Sequence, residues 1–326
     1  MVRLHHRAAP GAARRQRPAP DQPQRFKEPP HPPLVAPRRR GHKPRVAAPE
    51  IFDRAARRRR RDRIAPRYAE HAFLREAMLD GLADRLALVS RGFADVLDLG
   101  CFDGAFAPPP GARVARCDAG FAWARAAGGV QADEDRLPFA DGSFDLVVSA
   151  GVLDQVDDLP GALSLIRRAL RPDGLFLGAF LGGASLSTLR PVLRAAEPER
   201  PAARTHPLVE LRSAGDLLMR AGFALPVADV ETLTVRYAGL GRLLDDLRGT
   251  GASNLLRTRA PIRRETLARA AEAFAAAADP DGRTAERFDI LFVTGWAPSP
   301  DQPRPARRGS GRTSLADALK RFPEGG

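Results

Sequence analysis

Cysteine is nearly absent from these 326 residues: Cys101 and Cys117 are the only two. No disulfide framework can hold such a chain, which suits a reducing compartment and sets the expectation of a cytoplasmic protein. Long apolar runs are missing as well. None approaches the roughly 18 residues that cross a bilayer, so no membrane span is expected. The six histidines (5, 6, 31, 42, 71 and 206) and the two cysteines lack the spacing of zinc ligands, so no metal is expected. G-x-S-x-G does not occur, so neither serine of GGASLS (182–187) sits on a hydrolase elbow. There is no internal repeat.

Positive charge is abundant, but it is concentrated at one end. The formal net charge of +13 invites a nucleic-acid reading. Residues 1–63 hold 19 Lys plus Arg against 5 Asp plus Glu, a net of +14, and the remainder holds 33 against 34, a net of −1. The folded part is therefore close to neutral, and nucleic acid is not expected as its partner. Residues 1–49 are rich in Pro, Arg and Ala without apolar periodicity, which predicts a disordered leader. Three readings of that leader stay open: a solvated segment, a basic arm for nucleic acid or anionic lipid, and a presequence that would direct the chain to the mitochondrial matrix. The absence of Ser from the leader and its many prolines count against the presequence. Residues 298–326 are again Pro-, Arg- and Gly-rich and are expected to be a flexible tail.

Apolar residues make up 44% of the chain, enough for a sizeable core between those ends. The run Arg57 to Arg61 reads as the solvated polar face of a short helix. Helical spacing of Phe73, Leu74, Met78, Leu79, Leu82 and Leu86 predicts a helix over about 69–89. Short apolar runs then alternate with helical or turn segments. DVLDLG (95–100), ARVARCDA (112–119), a weak run at 130–132, FDLVVSA (144–150) and LFLGAFLG (175–182) read as five strands. A helix over 159–174 is stopped by Pro172 and Gly174. Further helices are expected at 185–196, 213–221, 240–248 and 263–277, and late strands near 225–236 and 287–296. Such alternation implies a parallel sheet with helices on both faces.

The chemistry-bearing segment is VLDLGCFDG (96–104). A strand runs into Asp98 and Gly100, and Gly104 follows four residues after Gly100. Glycines there permit close backbone approach to a bulky cofactor across the strand's carboxyl end. Asp118, 20 residues after Asp98, is placed to accept from both hydroxyls of a ribose. Asp133 is placed to accept from an adenine amino group. A dinucleotide fold would want G-x-G-x-x-G, which Phe102 and Ala105 break. The ordered set Asp98, Gly100, Gly104, Asp118 and Asp133, followed by LPFADGSFDLVVS, points instead to S-adenosylmethionine.

VLDLGCFDG, LPFADGSFDLVVSAGVLDQVDDLPGAL, RALRPDGLFLGAFLGGASLSTLR and the stretch running from LRSAGDLLMRAGF to DILFVTGWAPSPDQPRPARRGS resemble the methyltransferase-like assembly factor 5 of respiratory complex I and its bacterial homologues. The likeness spans roughly residues 50–315. A more distant one is to the biotin-pathway methyltransferase that esterifies a malonyl-carrier protein. The resemblance implies a Rossmann-like class I methyltransferase, α/β, with a seven-stranded, mostly parallel sheet whose last strand is antiparallel. It implies S-adenosylmethionine as cofactor, with contacts from Asp98, Gly100, Cys101, Gly104, Asp118, Asp133, Leu137 and Ala150. It implies an S-adenosylmethionine-binding domain over 50–297 in which 182–286 form a helical substrate cover. The acceptor would be a protein or a carrier-bound acyl group. For the mitochondrial members the resemblance implies hydroxylation of an arginine in a complex I subunit, and a non-catalytic assembly factor is the remaining alternative.

Three departures stand out. Phe102 replaces the middle glycine of D-L-G-C-G-x-G, which is costly if that position needs positive φ or close approach. Pro108, Pro109 and Pro110 leave at most one turn of the helix that normally follows the cofactor loop. Asp154 and Gln155 stand where the family often has His-Trp. Asp154 and Gln155, just beyond the fourth strand, are candidate acceptor-side residues. His206, in RTHPLVEL, either caps the substrate pocket or lies on a surface loop.

Overall fold

The computed structural model describes residues 50–199 and 201–302. The leader expected at 1–49, and the expected tail beyond residue 302, lie outside the described residues. The strands are β1 (Asp95–Leu99), β2 (Arg113–Asp118), β3 (Val130–Gln131), β4 (Phe144–Ala150), β5 (Leu170–Leu181), β6 (Ala224–Tyr237) and β7 (Thr284–Trp296). They form one sheet in the order β3-β2-β1-β4-β5-β7-β6. β1 is buried at every residue, as a strand covered on both faces must be. The first five strands run parallel, and β7 is antiparallel to both β5 and β6. This is the expected seven-stranded sheet.

The helices are α1 (Arg54–Ile64), α2 (Phe73–Ala87), α3 (Phe121–Ala126), α4 (Leu159–Ala169), α5 (Leu189–Ala196), α6 (Leu211–Ala221), α7 (Leu240–Gly249) and α8 (Arg264–Ala276). α3, α4 and α6 pack on one face of the sheet through Trp123, Leu163, Ile166 and Leu218. α2, α5, α7 and α8 pack on the other through Met78, Leu193, Leu243 and Phe274. The sheet is thus covered on both sides, as the alternation of apolar runs implies.

Two helix expectations need correction. The helix expected over 69–89 is a 3-10 turn at Ala65–His71, begun by Pro66, followed by α2. The helix expected to reach residue 174 stops at Ala169, and residues from Leu170 onward already belong to β5. Arg171 precedes Pro172, and a residue before proline is disfavoured in the α region. Between β1 and β2 there is no helix at all, in keeping with the three consecutive prolines. Strand order reverses between β1 and β4, and in open α/β sheets ligands bind at the carboxyl ends beside such a reversal.

Candidate functional site

Two features lie beyond the carboxyl ends of the parallel strands: an acidic cleft over β1 and β2, and a chamber reached from the end of β4. The cleft is built from the residues expected to hold the cofactor. Asp118 closes β2 and is fully buried. Its carboxylate accepts from the Gly120 amide at 2.7 Å and the Phe102 amide at 3.0 Å. It also accepts from both arms of the Arg61 guanidinium, one of them at 2.8 Å. Burial alone would raise its pKa, but Arg61 and the two amides outweigh that and hold it below the usual carboxylate value.

The neighbouring acids are taken in the same way. Arg57 grips Glu134 at 2.6 and 2.8 Å. Arg58 reaches Asp133 at 2.6 and 3.2 Å, and Arg54 holds Asp135 with both arms. All four arginines belong to α1. The expectation that this run is merely solvated is corrected here: the side chains of Arg57 and Arg61 are only 4% exposed. α1 is seated at its start by Asp53, whose carboxylate caps the Ala56 amide. A bridge pairs Phe52 with Leu256, and the Asp53 amide donates to the Leu255 carbonyl.

Phe102 occupies the middle of the cleft. It carries a φ of 46°, in the left-handed region that costs a non-glycine residue about 1 kcal/mol or more. Its ring lies 3.7 Å from the Arg61 guanidinium carbon and stacks on Tyr68 with centroids 4.9 Å apart. Gly100 has a φ of 78°, and a Cβ there would meet Val152 at 2.5 Å. The close approach that glycine permits at this position is therefore made by the protein itself. Gly104 is also left-handed, at 74°, with Arg116 beside it. Cys101 is buried, and burial pushes its thiol up to about 12. Leu137 packs against the apolar core, and Ala150 ends β4 opposite Ala179.

Asp98, on β1, is different. Its Oδ2 is buried without a hydrogen-bond partner, with Arg116 Nε 3.8 Å away, and burial raises its pKa to about 6. That orphaned acceptor, with Asp118 nearby, is one that the ammonium of an adenosyl amino acid would satisfy. The residue types fit S-adenosylmethionine; the arrangement with α1 docked does not. Arg61 and Arg58 already take the Asp118 and Asp133 carboxylates there, and the cavity beside Phe102, lined by Tyr68, Arg75 and Asp154 and by none of these acids, is only about 40 Å³.

Asp154 and Gln155 form a 3-10 turn just after β4 and are buried. Both line the small cavity beside Phe102, and Asp154 also lines a second chamber of about 300 Å³. Burial raises the Asp154 pKa to about 6. The chamber walls are leucines of α5 and α7 together with Leu181, Leu208 and Ile262. Its lining also holds five arginines and one acid, Asp154. Arg204, Arg248 and Arg259 pair with Glu197, Asp245 and Asp53. Arg60 and Arg190 meet no carboxylate within ion-pair distance among the described residues. Arg60 donates to the Ser253 and Asn254 carbonyls, Arg190 donates to the His206 carbonyl, and the Arg190 Nε is buried without a partner.

His206 is not on a surface loop; it is buried in the chamber wall. Its Nε2 accepts from the Leu255 amide at 2.8 Å, and Phe52 packs edge-on at 5.0 Å. Burial, reinforced by Arg60, Arg190 and Arg57, lowers its pKa from 6.5 to about 4 and keeps it neutral. Sequence reasoning missed the α1 arginines, Arg60 and Arg190. The signal for the first group was present, since residues 54, 57, 58 and 61 share one helical face and Asp133, Glu134 and Asp135 form an acidic run.

A family profile described as a methyltransferase domain matches residues 97–178. The chain is 35% identical over 288 residues to the arginine-hydroxylase NDUFAF5, mitochondrial, of Danio rerio, covering 83% of this chain and 90% of that one. It is 34% identical to the human protein of the same name, covering 83% and 84%. It is also 32% identical over 268 residues to the malonyl-[acyl-carrier protein] O-methyltransferase of Halorhodospira halophila, covering 76% and 89%. No helix among the described residues is long and apolar enough to cross a membrane.

Proposed function

The chain belongs to the NDUFAF5 family, and from that premise we propose that it is an S-adenosylmethionine-dependent methyltransferase acting on an acyl group that bears a carboxylate. Asp118 would take the ribose hydroxyls, Asp133 the adenine amino group and the free oxygen of Asp98 the ammonium. Gly100, Cys101, Gly104, Leu137 and Ala150 would line the rest. When bound, the cofactor supplies an activated methyl group.

The observation that carries the acceptor assignment is the charge of the chamber. Arg60 and Arg190 carry positive charge without an ion-pair partner among the described residues, beside a wall whose apolar part is mostly leucine. An alkyl chain ending in a carboxylate satisfies both features. A carboxylate needs no general base to attack a methyl group, so the chain's residues have only to bind and orient it. Asp154, which lines both cavities, would position the reacting oxygen, with Gln155 beside it in the smaller one. Residues 182–286 would act as the cover that admits it, from an acyl carrier or from a protein subunit. Hydroxylating an arginine would bring a guanidinium beside Arg60 and Arg190, which like charge opposes, so the acyl reading is preferred. A cytoplasmic site of action is part of the proposal, supported by two free, buried thiols.

The test is incubation with methyl-labelled S-adenosylmethionine and two acceptors, a dicarboxylic acyl thioester and an arginine-containing peptide. The proposal expects label in the ester alone, lost on Arg190→Leu. An oxygen increment on the peptide, with no labelled ester, would overturn it.

A further inference from the structure

What holds α1 in place sets it apart from the other helices. Its sequence, RAARRRRRDRI, offers only Ala55, Ala56 and Ile64 as apolar side chains. Apolar burial therefore contributes little, and charge does most of the holding. Arg54, Arg57, Arg58 and Arg61 project from one helical face onto Asp135, Glu134, Asp133 and Asp118. Away from those acids, five consecutive arginines repel one another at i,i+3 and i,i+4. A helix of 11 residues does not persist alone under such repulsion. Docking and folding of α1 are thus one event.

The acid that α1 grips through Arg61 is also the one whose oxygens a ribose would need. A guanidinium fork and a vicinal diol each bring two donors to a carboxylate, so Asp118 can serve one or the other. The buried Oδ2 of Asp98 has only the Arg116 Nε near it, at 3.8 Å and beyond hydrogen-bond reach, which leaves room for a further donor, because buried acceptors are rarely left unmatched. Phe102 links the two states. Its strained backbone is offset partly by the Arg61 contact at 3.7 Å, and that contact leaves with α1.

We propose that α1 and the adenosyl cofactor are alternative occupants of one cleft. α1 is a built-in gate: it melts away from Asp118, Asp133, Glu134 and Asp135 when the cofactor binds, and refolds onto them when it leaves. The proposal rests on the cofactor reading above. Because the competent form is only a fraction of the molecules, the apparent cofactor affinity is reduced by that fraction, and loosening the gate tightens binding.

A reversible lock tests this. Phe52 and Leu256 are antiparallel bridge partners, a spacing that a disulfide can span. The full chain carrying Phe52→Cys and Leu256→Cys is titrated with S-adenosylmethionine, oxidised and then reduced. The expected result is binding in the reduced form and at least about a tenfold loss in the oxidised one. As a second arm, Arg54→Ala with Arg58→Ala removes the partly exposed contacts to Glu50, Asp133, Asp135 and Asp157 and leaves the buried Arg57 and Arg61 pairs; affinity should tighten about fivefold over the parent. Equal affinity in the oxidised and reduced forms overturns the gate and leaves the cofactor assignment standing. No binding to any form, parent and Arg54→Ala/Arg58→Ala included, at millimolar concentration overturns both.

Discussion

The acidic cleft and the arginine-rimmed chamber lie side by side at the same end of the sheet, and they have opposite fates. In the cleft each acid of the Asp118 and Asp133–Asp135 set meets an arginine of the chain itself. In the chamber Arg60 and Arg190 meet no carboxylate within ion-pair distance among the described residues, and about 300 Å³ stays open. The chain fills the region where its own charges match and leaves open the region where they do not. A site whose charge is satisfied internally can take a ligand only by exchange, whereas one with unmatched charge can take it by addition.

Breaking the cleft should cost the most. Arg61→Ala leaves Asp118 buried and uncompensated, and removal of one partner of a buried pair costs about 3–5 kcal/mol. Urea denaturation should register that loss, whereas Leu244→Ala in the half-buried chamber wall should cost no more than about 2 kcal/mol, the low end for a leucine truncation. Phe102→Gly removes a buried ring but relieves a left-handed φ, so a net loss of about 2 kcal/mol is expected. The same change should strengthen S-adenosylmethionine binding in calorimetry.

The chamber can be sharpened by pH. His206 is neutral in the folded state to about pH 4, while unfolded histidine gains a proton near 6.5. The unfolded chain therefore binds more protons as pH falls through that window, and stability is lost from about pH 6.5 downward. Asp98 and Asp154, each raised to about 6, act in the opposite sense and favour the fold as pH falls. Comparison with His206→Gln isolates the histidine: between pH 7 and pH 5 the parent should lose about 2 kcal/mol relative to the variant. The smallest effect belongs to Arg58→Ala. Its side chain is 43% exposed, and Arg54 also lies 3.6 Å from Asp133, so a change under about 1 kcal/mol is expected.

The sheet was legible because its parallel strands are continuous apolar runs, as in FDLVVSA, whose meaning is local. The place of Asp98, Asp118 and Asp133 at or just beyond the ends of β1, β2 and β3 was legible from their spacing, and the left-handed backbone at Phe102 from its departure from glycine. The burial of Arg57 and Arg61 was harder to read: their shared helical face and the acidic run at 133–135 hint at pairing, but neither says that the two segments meet. Five arginines in a row carry the local pattern of a solvated face, and their partners lie 77 and 57 residues away. Only the tertiary fold brings matching acids to them. His206 was obscured for a similar reason: RTHPLVEL has no regular period, and its burial depends on Phe52 and Leu255 from distant segments.

Hydrogen–deuterium exchange across residues 54–64, with and without saturating S-adenosylmethionine, tests most directly whether helix and cofactor share one set of carboxylates. Faster exchange of α1 on cofactor addition, with β1 and β2 unchanged or slower, is the predicted result. Cofactor bound at saturation with α1 as protected as before, or more so, would contradict it.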